Sequence, residues 1–346
     1  MMAMTVRHLS RAWPLWPACL PALLSAGVAL AATAAASEPA GPATTTADSA
    51  PTRPLAWALE PGEARDHGVE LDLDTQMTIT RAGERSQRHT STVVSFQVES
   101  LGLRRAQAGE YVIERRVRDF QLAVLTTADG STIEVTMDGI GLTVRQGREE
   151  AHTVPWANVP RGRGGEIGEL LGRPMTCTIS RFGTAVAVDE RMAPWQRVLD
   201  SMDLTPLLLP MVPLPDSAVE PGTTWTVTGR REVQLSRPWG TLELETRTEV
   251  KVAAFERRDG RDVARLAFVS ASKPAKEQVR LDYTLTVRGE IVVGLDGTVV
   301  GGEADVTIAA SAAVVDAVHE LVGAGTLRFT GSAGAQTPPQ DAPGKD

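Results

Sequence analysis

A chain of 346 residues with a formal charge of −8 and no basic block in its body is a poor partner for nucleic acid or an anionic membrane surface. Its two cysteines are Cys19 and Cys177. If the first leaves with a cleaved leader, no internal disulfide is possible and stability has to come from a packed core.

The first 36 residues hold no Asp or Glu and place Arg7, His8 and Arg11 ahead of an apolar stretch. They end in Ala32-Thr33-Ala34-Ala35-Ala36, with small residues where a signal peptidase cuts. Residues 1–36 are read as an export signal, which places the protein in the periplasm or outside the cell. The alternative is an uncleaved anchor, because about 25 apolar residues can span a bilayer. Pro14, Pro17 and Pro21 favour cleavage, after which the chain is not an integral membrane protein. Cys19 lies inside the apolar stretch and not at a cleavage point, which argues against a lipid anchor. Loss of Arg7 and Arg11 takes the net charge from −8 to −10. Residues 37–54 and 331–346, rich in small, polar and proline residues, are expected to be disordered. Between them lies one β-rich domain, 55–330, with halves 55–190 and 219–330 joined by a helical and proline-rich crossover at 191–218.

Leu59-Glu60-Pro61-Gly62 predicts a turn, and Val69 to Arg81 alternates apolar and polar in strict period two, the mark of a strand that buries one face. Its expected partner is Thr90 to Leu101. In Glu110 to Leu125 the apolar phase slips between Val117 and Phe120, as at a bulge. Asp129-Gly130 and Asp138-Gly139 mark tight turns on either side of Thr132 to Met137. Gly147 to Gly165 is read as a loop, including Arg161 to Gly165 (RGRGG), which lacks the flanking strand and Lys-Ser/Thr of a phosphate cradle. Ile167, Leu170 and Leu171 give one helical turn closed by Gly172. A hairpin, Met175 to Ser180 and Thr184 to Val188, follows about Gly183. Cys177 within it is read as a buried small hydrophobe.

The crossover breaks the alternation. Pro194 suits the first helical position. Trp195, Val198, Leu199 and Met202 then share one helix face. Pro206 stops the helix and an apolar run among Pro206, Pro210, Pro213 and Pro215 continues from it. Beyond Val219-Glu220-Pro221-Gly222, an echo of the first turn, strands are expected at Thr241 to Val252, Ala264 to Val269, Val279 to Val293 and Thr298 to Ala310. The shared turn, with Val69 to Leu73 beside Val279 to Tyr283, hints at duplication. Val314 to Val322 is a further candidate for apolar cover, with His319 and Glu320 on a helix.

A fifteen-residue strand reaches roughly 50 Å, whereas an eleven-residue helix spans about 16 Å. The cover is therefore too short for the apolar face beneath it, and the sheet either closes on itself or leaves a groove. The fold class expected is mainly β, a long, curved antiparallel sheet or half-barrel, with a closed barrel or two β-meander halves as alternatives. By architecture this resembles the lipoprotein-carrier fold of bacterial envelopes, which holds acyl chains. In its residues the chain resembles a family of uncharacterised secreted bacterial proteins, a domain of unknown function. That resemblance rests on Leu170-Leu171-Gly172, Ser180 to Gly183, Leu214-Pro215 and Val219-x-x-Gly222-x-x-Trp225. It implies a fold and no activity.

No catalytic constellation is legible. His67, His89, His152 and His319 have no paired-ligand spacing, no G-x-S-x-G elbow occurs, and Asp72 and Asp74 face outward together. No metal or cofactor is implied. The leading expectation is a non-catalytic exported envelope protein that binds a lipid or other hydrophobic small molecule in the concave sheet. Its candidate groove is Trp195, Val198, Leu199, Met202, Leu208, Met211 and Trp225. The alternatives are an envelope module with a filled core that binds a protein partner, and a hydrolase whose site is assembled across strands.

Overall fold

The computed structural model describes residues 52–107, 109–159, 168, 171–183, 185–188, 213–234, 241–276, 281–314 and 316–332. The strands are β1 (Ala64–Arg81), β2 (Glu84–Arg105), β3 (Glu110–Ala128), β4 (Ser131–Met137), β5 (Gly141–Gln146), β6 (His152–Pro155) and β7 (Met175–Ser180), then β8 (Ala185–Val188), β9 (Thr224–Gln234), β10 (Thr241–Arg258), β11 (Arg261–Pro274), β12 (Leu281–Gly294), β13 (Val299–Val314) and β14 (Ala317–Ser332). All fourteen belong to one sheet, ordered β6-β5-β4-β3-β2-β1-β14-β13-β12-β11-β10-β9, with β7 branching from β3 and β8 pairing β7. Among the described residues it is a long antiparallel sheet that does not close into a barrel, with β6, β8 and β9 at its edges.

The period-two pattern dictates this. In β1, Val69, Leu71 and Leu73 are buried while Glu70, Asp72 and Asp74 are exposed. β12 repeats it with Tyr283, Leu285 and Val287 against Asp282, Thr284 and Arg288. One face of a sheet cannot be buried by a flat sheet alone, and strands of 14 to 22 residues twist enough to curl the apolar face inward. The inner side chains join into one hydrophobic cluster that runs from β1 to β14. Each fully buried Leu or Val contributes roughly 1.5–3 kcal/mol.

The expected hairpin of the first two strands forms in register, with Val69 opposite Phe96 and Leu71 opposite Val94. The slip in β3 is a bulge: Ser95 pairs Gln121 and Gln97 pairs Arg118, with Asp119 at φ +51. Asp129 and Gly130 both take positive φ in the β3–β4 hairpin. Cys177 is buried as expected, and burial pushes its thiol pKa up.

The two Glu-Pro-Gly turns do the same job. Gly62 N donates to Gly102 O (2.8 Å) and Gly102 N to Glu63 O (2.9 Å). Gly222 N donates to Val252 O (2.8 Å) and Val252 N to Thr223 O (2.9 Å). Each turn thus latches onto the second strand of its half, at a position where that strand is bulged against the third.

Three expectations are corrected. Val314–Val322 is neither helix nor cover: it is the end of β13, a turn and the first part of β14, the strand that joins the two halves through β1. Val318 and Val322 face solvent. Residues 152–155, expected in a loop, form an edge strand on β5, where Thr143 and Thr153 share a hydroxyl contact of 2.9 Å. Neither terminal segment is wholly irregular. Arg53 bridges to Val219 and pairs with Asp262 at 2.8 Å, and β14 extends through Ser332. The RGRGG stretch and the helix expected from Pro194 lie outside the described residues.

Candidate binding site on the concave face

The concave face differs between its two ends. At one end the segment 55–59 is laid across it: Trp57 N donates to Arg181 O (2.7 Å), and Ala56 N and Ala58 N donate to Leu295 O and Asp296 O. Leu55, Trp57 and Leu59 are buried there, Trp57 packs edge-on against Tyr111, and Leu214 N is tied to Phe182 O. This end is closed.

At the opposite end, toward the hairpin tips, the inner positions Met77, Ile79, Ile133 and Leu281 are only half-buried. Here β13 presents the small side chains of Ala310 and Ala312 on the inner face, opposite Leu321 and His319 of β14. Hydroxyls line the approach, and they satisfy one another: Thr90 with Thr126 (3.3 Å), Thr246 with Ser272 (2.7 Å) and Thr248 with Ser270 (2.9 Å). His319 sits on the same face between Ile79 and Ala312. Its Nδ1 has no hydrogen-bond partner, and burial lowers its pKa below the usual value.

One charged residue lies on the inner face where the pattern calls for an apolar one. Arg115 follows Ile113 and precedes Val117, all three buried, and stands opposite Ser100 on β2 and Met175 on β7. It is 4% exposed, and its Nε and Nη1 have no hydrogen-bond partner. Burial lowers its pKa, countered by the field of Cys177, which lies one inner position along β7. Arg65, in the same row across Ser100, is satisfied instead: its Nη2 is 2.8 Å from Glu63 and 2.9 Å from Asp296. β3 is also where the wall changes hands, pairing β7 over residues 110–115 and β4 over 122–128. Between them Gly172 N reaches Val117 O at 3.0 Å, so a loop and not a strand crosses the wall there.

Of the expected groove residues, Trp225 is described. It is half-buried on the edge strand β9, with Nε1 donating to Pro213 O at 2.9 Å. Trp195, Val198, Leu199, Met202, Leu208 and Met211 lie outside the described residues. Asp72 and Asp74 are exposed on the outer face. Among the described residues no group of His, Cys, Asp and Glu could hold a metal ion, and no helix is long and apolar enough to cross a membrane. Arg115 was missed in the sequence because Arg116 and Arg118 beside it are solvent-side. The phase of Ile113 and Val117 was the signal that would have placed it inward.

No family model matches the chain, and no curated protein matches it. Among solved structures, the chain is similar to the translocator domain of the autotransporter NalP from Neisseria meningitidis at 7% identity and a TM-score of 0.24, covering 76% of this chain and 88% of that one. It is similar to the Ralstonia pickettii toluene transporter TbuX at 8% identity and a TM-score of 0.16, covering 78% and 92%. Scores this low carry no inference about function.

Proposed function

We propose that this is a non-catalytic, exported envelope protein that binds a lipid or another apolar or amphipathic ligand along the concave face of its sheet. The observation that carries the reading is the gradient along that face. It is mainly apolar, closed at the end covered by residues 55–59, and better reached by solvent at the hairpin end, where Met77, Ile79, Leu281 and Ala317 are half-buried. Pockets of this kind take their affinity from apolar lining and their selectivity from a few polar groups. The charged outer face suits an aqueous compartment, and the acidic-free leader of residues 1–36 supports export.

Mass spectrometry of solvent extracts from native and delipidated protein tests the reading. A co-purifying amphiphile that is lost on delipidation and rebinds supports it, whereas extracts matching a blank, together with no uptake of added lipid, refute it. Amino-terminal sequencing of the secreted or periplasmic protein checks export. A second reading, a filled-core module that binds a protein partner, draws on Leu73, Leu244, Leu285 and Val306, which are wholly excluded from solvent. Partner capture by fully delipidated protein would favour it.

A further inference from the structure

We propose that Arg115 receives the anionic group, a carboxylate or a phosphate, of an amphipathic ligand whose apolar body lies along the concave face. The proposal rests on the binding reading above and adds the chemistry of the ligand's head. A guanidinium buried without a counter-charge is costly, and arginine does not escape the cost by losing its proton. Arg115 nevertheless occupies an inner-face position between Ile113 and Val117, with Nε and Nη1 unpartnered.

The nearby carboxylates are engaged elsewhere. Glu63 and Asp296 hold Arg65, Glu114 pairs with Arg116 at 2.8 Å, and Glu99 pairs with Arg118 at 2.5 Å. Among the described residues none reaches Arg115. Cys177 cannot serve, because burial raises its thiol pKa and keeps it protonated at neutral pH. Ser100, directly opposite and buried, offers a hydroxyl that can donate to the same oxyanion. The unpartnered Nε–H and Nη1–H point to different sides of the guanidinium, and either can donate a charge-assisted hydrogen bond to an oxygen of a carboxylate or phosphate. The site also lies beside the one stretch of β3 where the wall passes from β7 to β4, next to the bulge at Asp119. Apolar neighbours Met175, Val98 and Val117 would meet the first carbons of the chain.

The test is isothermal titration of delipidated, mature protein with dodecanoate, dodecyl phosphate and dodecanol, three probes with one tail and different heads. Wild type is expected to bind at least one anion about tenfold or more tightly than dodecanol. The tighter of the two anions identifies the head. Arg115→Met should keep the dodecanol affinity and lose the preference, and Arg115→Lys should keep part of it. Competition by inorganic phosphate on the wild type gives a readout that needs no variant: it should weaken dodecyl phosphate and leave dodecanol unchanged. Equal binding of all three probes, or a preference that survives in Arg115→Met, overturns the proposal while leaving the binding reading intact. Binding of none of the three overturns both.

Discussion

Arg115→Met separates an unpaired buried charge from a hidden ion pair, because the two alternatives predict opposite signs. The side chain is 4% exposed, two of its three guanidinium nitrogens have no partner, and Met preserves most of the apolar stem. Replacing a buried, poorly compensated charge by an apolar side chain of similar volume stabilises by about 1–4 kcal/mol. On a domain of this size each kcal/mol moves Tm by about 2–4 °C. Ligand-stripped wild type and variant should therefore be compared by urea and thermal unfolding at neutral pH, with the variant expected to unfold later. Ligand must be removed first, since anything bound to the native state raises its stability by mass action. A loss of about 3–5 kcal/mol would refute the reasoning. That is the cost of breaking a buried pair, and it would mean that a carboxylate of the chain itself faces Arg115.

Three further outcomes are expected. Gly325→Ala should destabilise by about 1–3 kcal/mol in urea unfolding, because the added Cβ would lie 2.0 Å from Asp72 O and 2.7 Å from Leu73 Cα, backbone atoms that cannot swing away. The depressed pKa of His319 means that the native state binds fewer protons than the unfolded chain just below the usual histidine value. Stability should therefore be full above about pH 6.5 and fall as the pH drops through that interval. In register His319 faces only the uncharged Ile79 and Ala312, with the Arg81–Asp316 pair at the adjoining hairpin tip. His319→Gln should flatten the urea midpoint between pH 7.5 and 5.5. Cys177 should react with a thiol reagent at neutral pH only at the rate of unfolding, and rapid labelling of the folded protein would show that the β7 face is open.

Much of the fold was legible because one-sided strands announce themselves residue by residue. Val69 to Leu73 and Tyr283 to Val287 could be placed on the inner face from their alternation, and the slip between Val117 and Phe120 marked a real bulge. Two elements escaped for physical reasons. β6 is a four-residue edge strand with no buried residue, so it carries no hydrophobic period at all. β14 was hidden by its glycines, Gly323, Gly325 and Gly331, which read as breakers but lie against backbone atoms of β1 and β13, where a Cβ would not fit. The candidate site was less legible. Its expected lining was sought in the crossover, whereas the unpaired charge on the inner face, Arg115, belongs to a strand whose neighbouring arginines made it look like surface.

The pairing of β1 with β14 has a mechanical consequence. The first and last strands of the sheet meet in its middle through sixteen registered pairs, and Asp66 near the start of β1 lies opposite Ser332 at the end of β14. Tension applied between the two termini enters this ladder at that end and peels it pair by pair, as a zipper opens, instead of shearing all sixteen at once. The seam between the halves is therefore the line along which a pull on both ends parts the molecule. A protein tethered through its ends would yield there first and expose the inner rows of Leu71, Leu73 and Leu327.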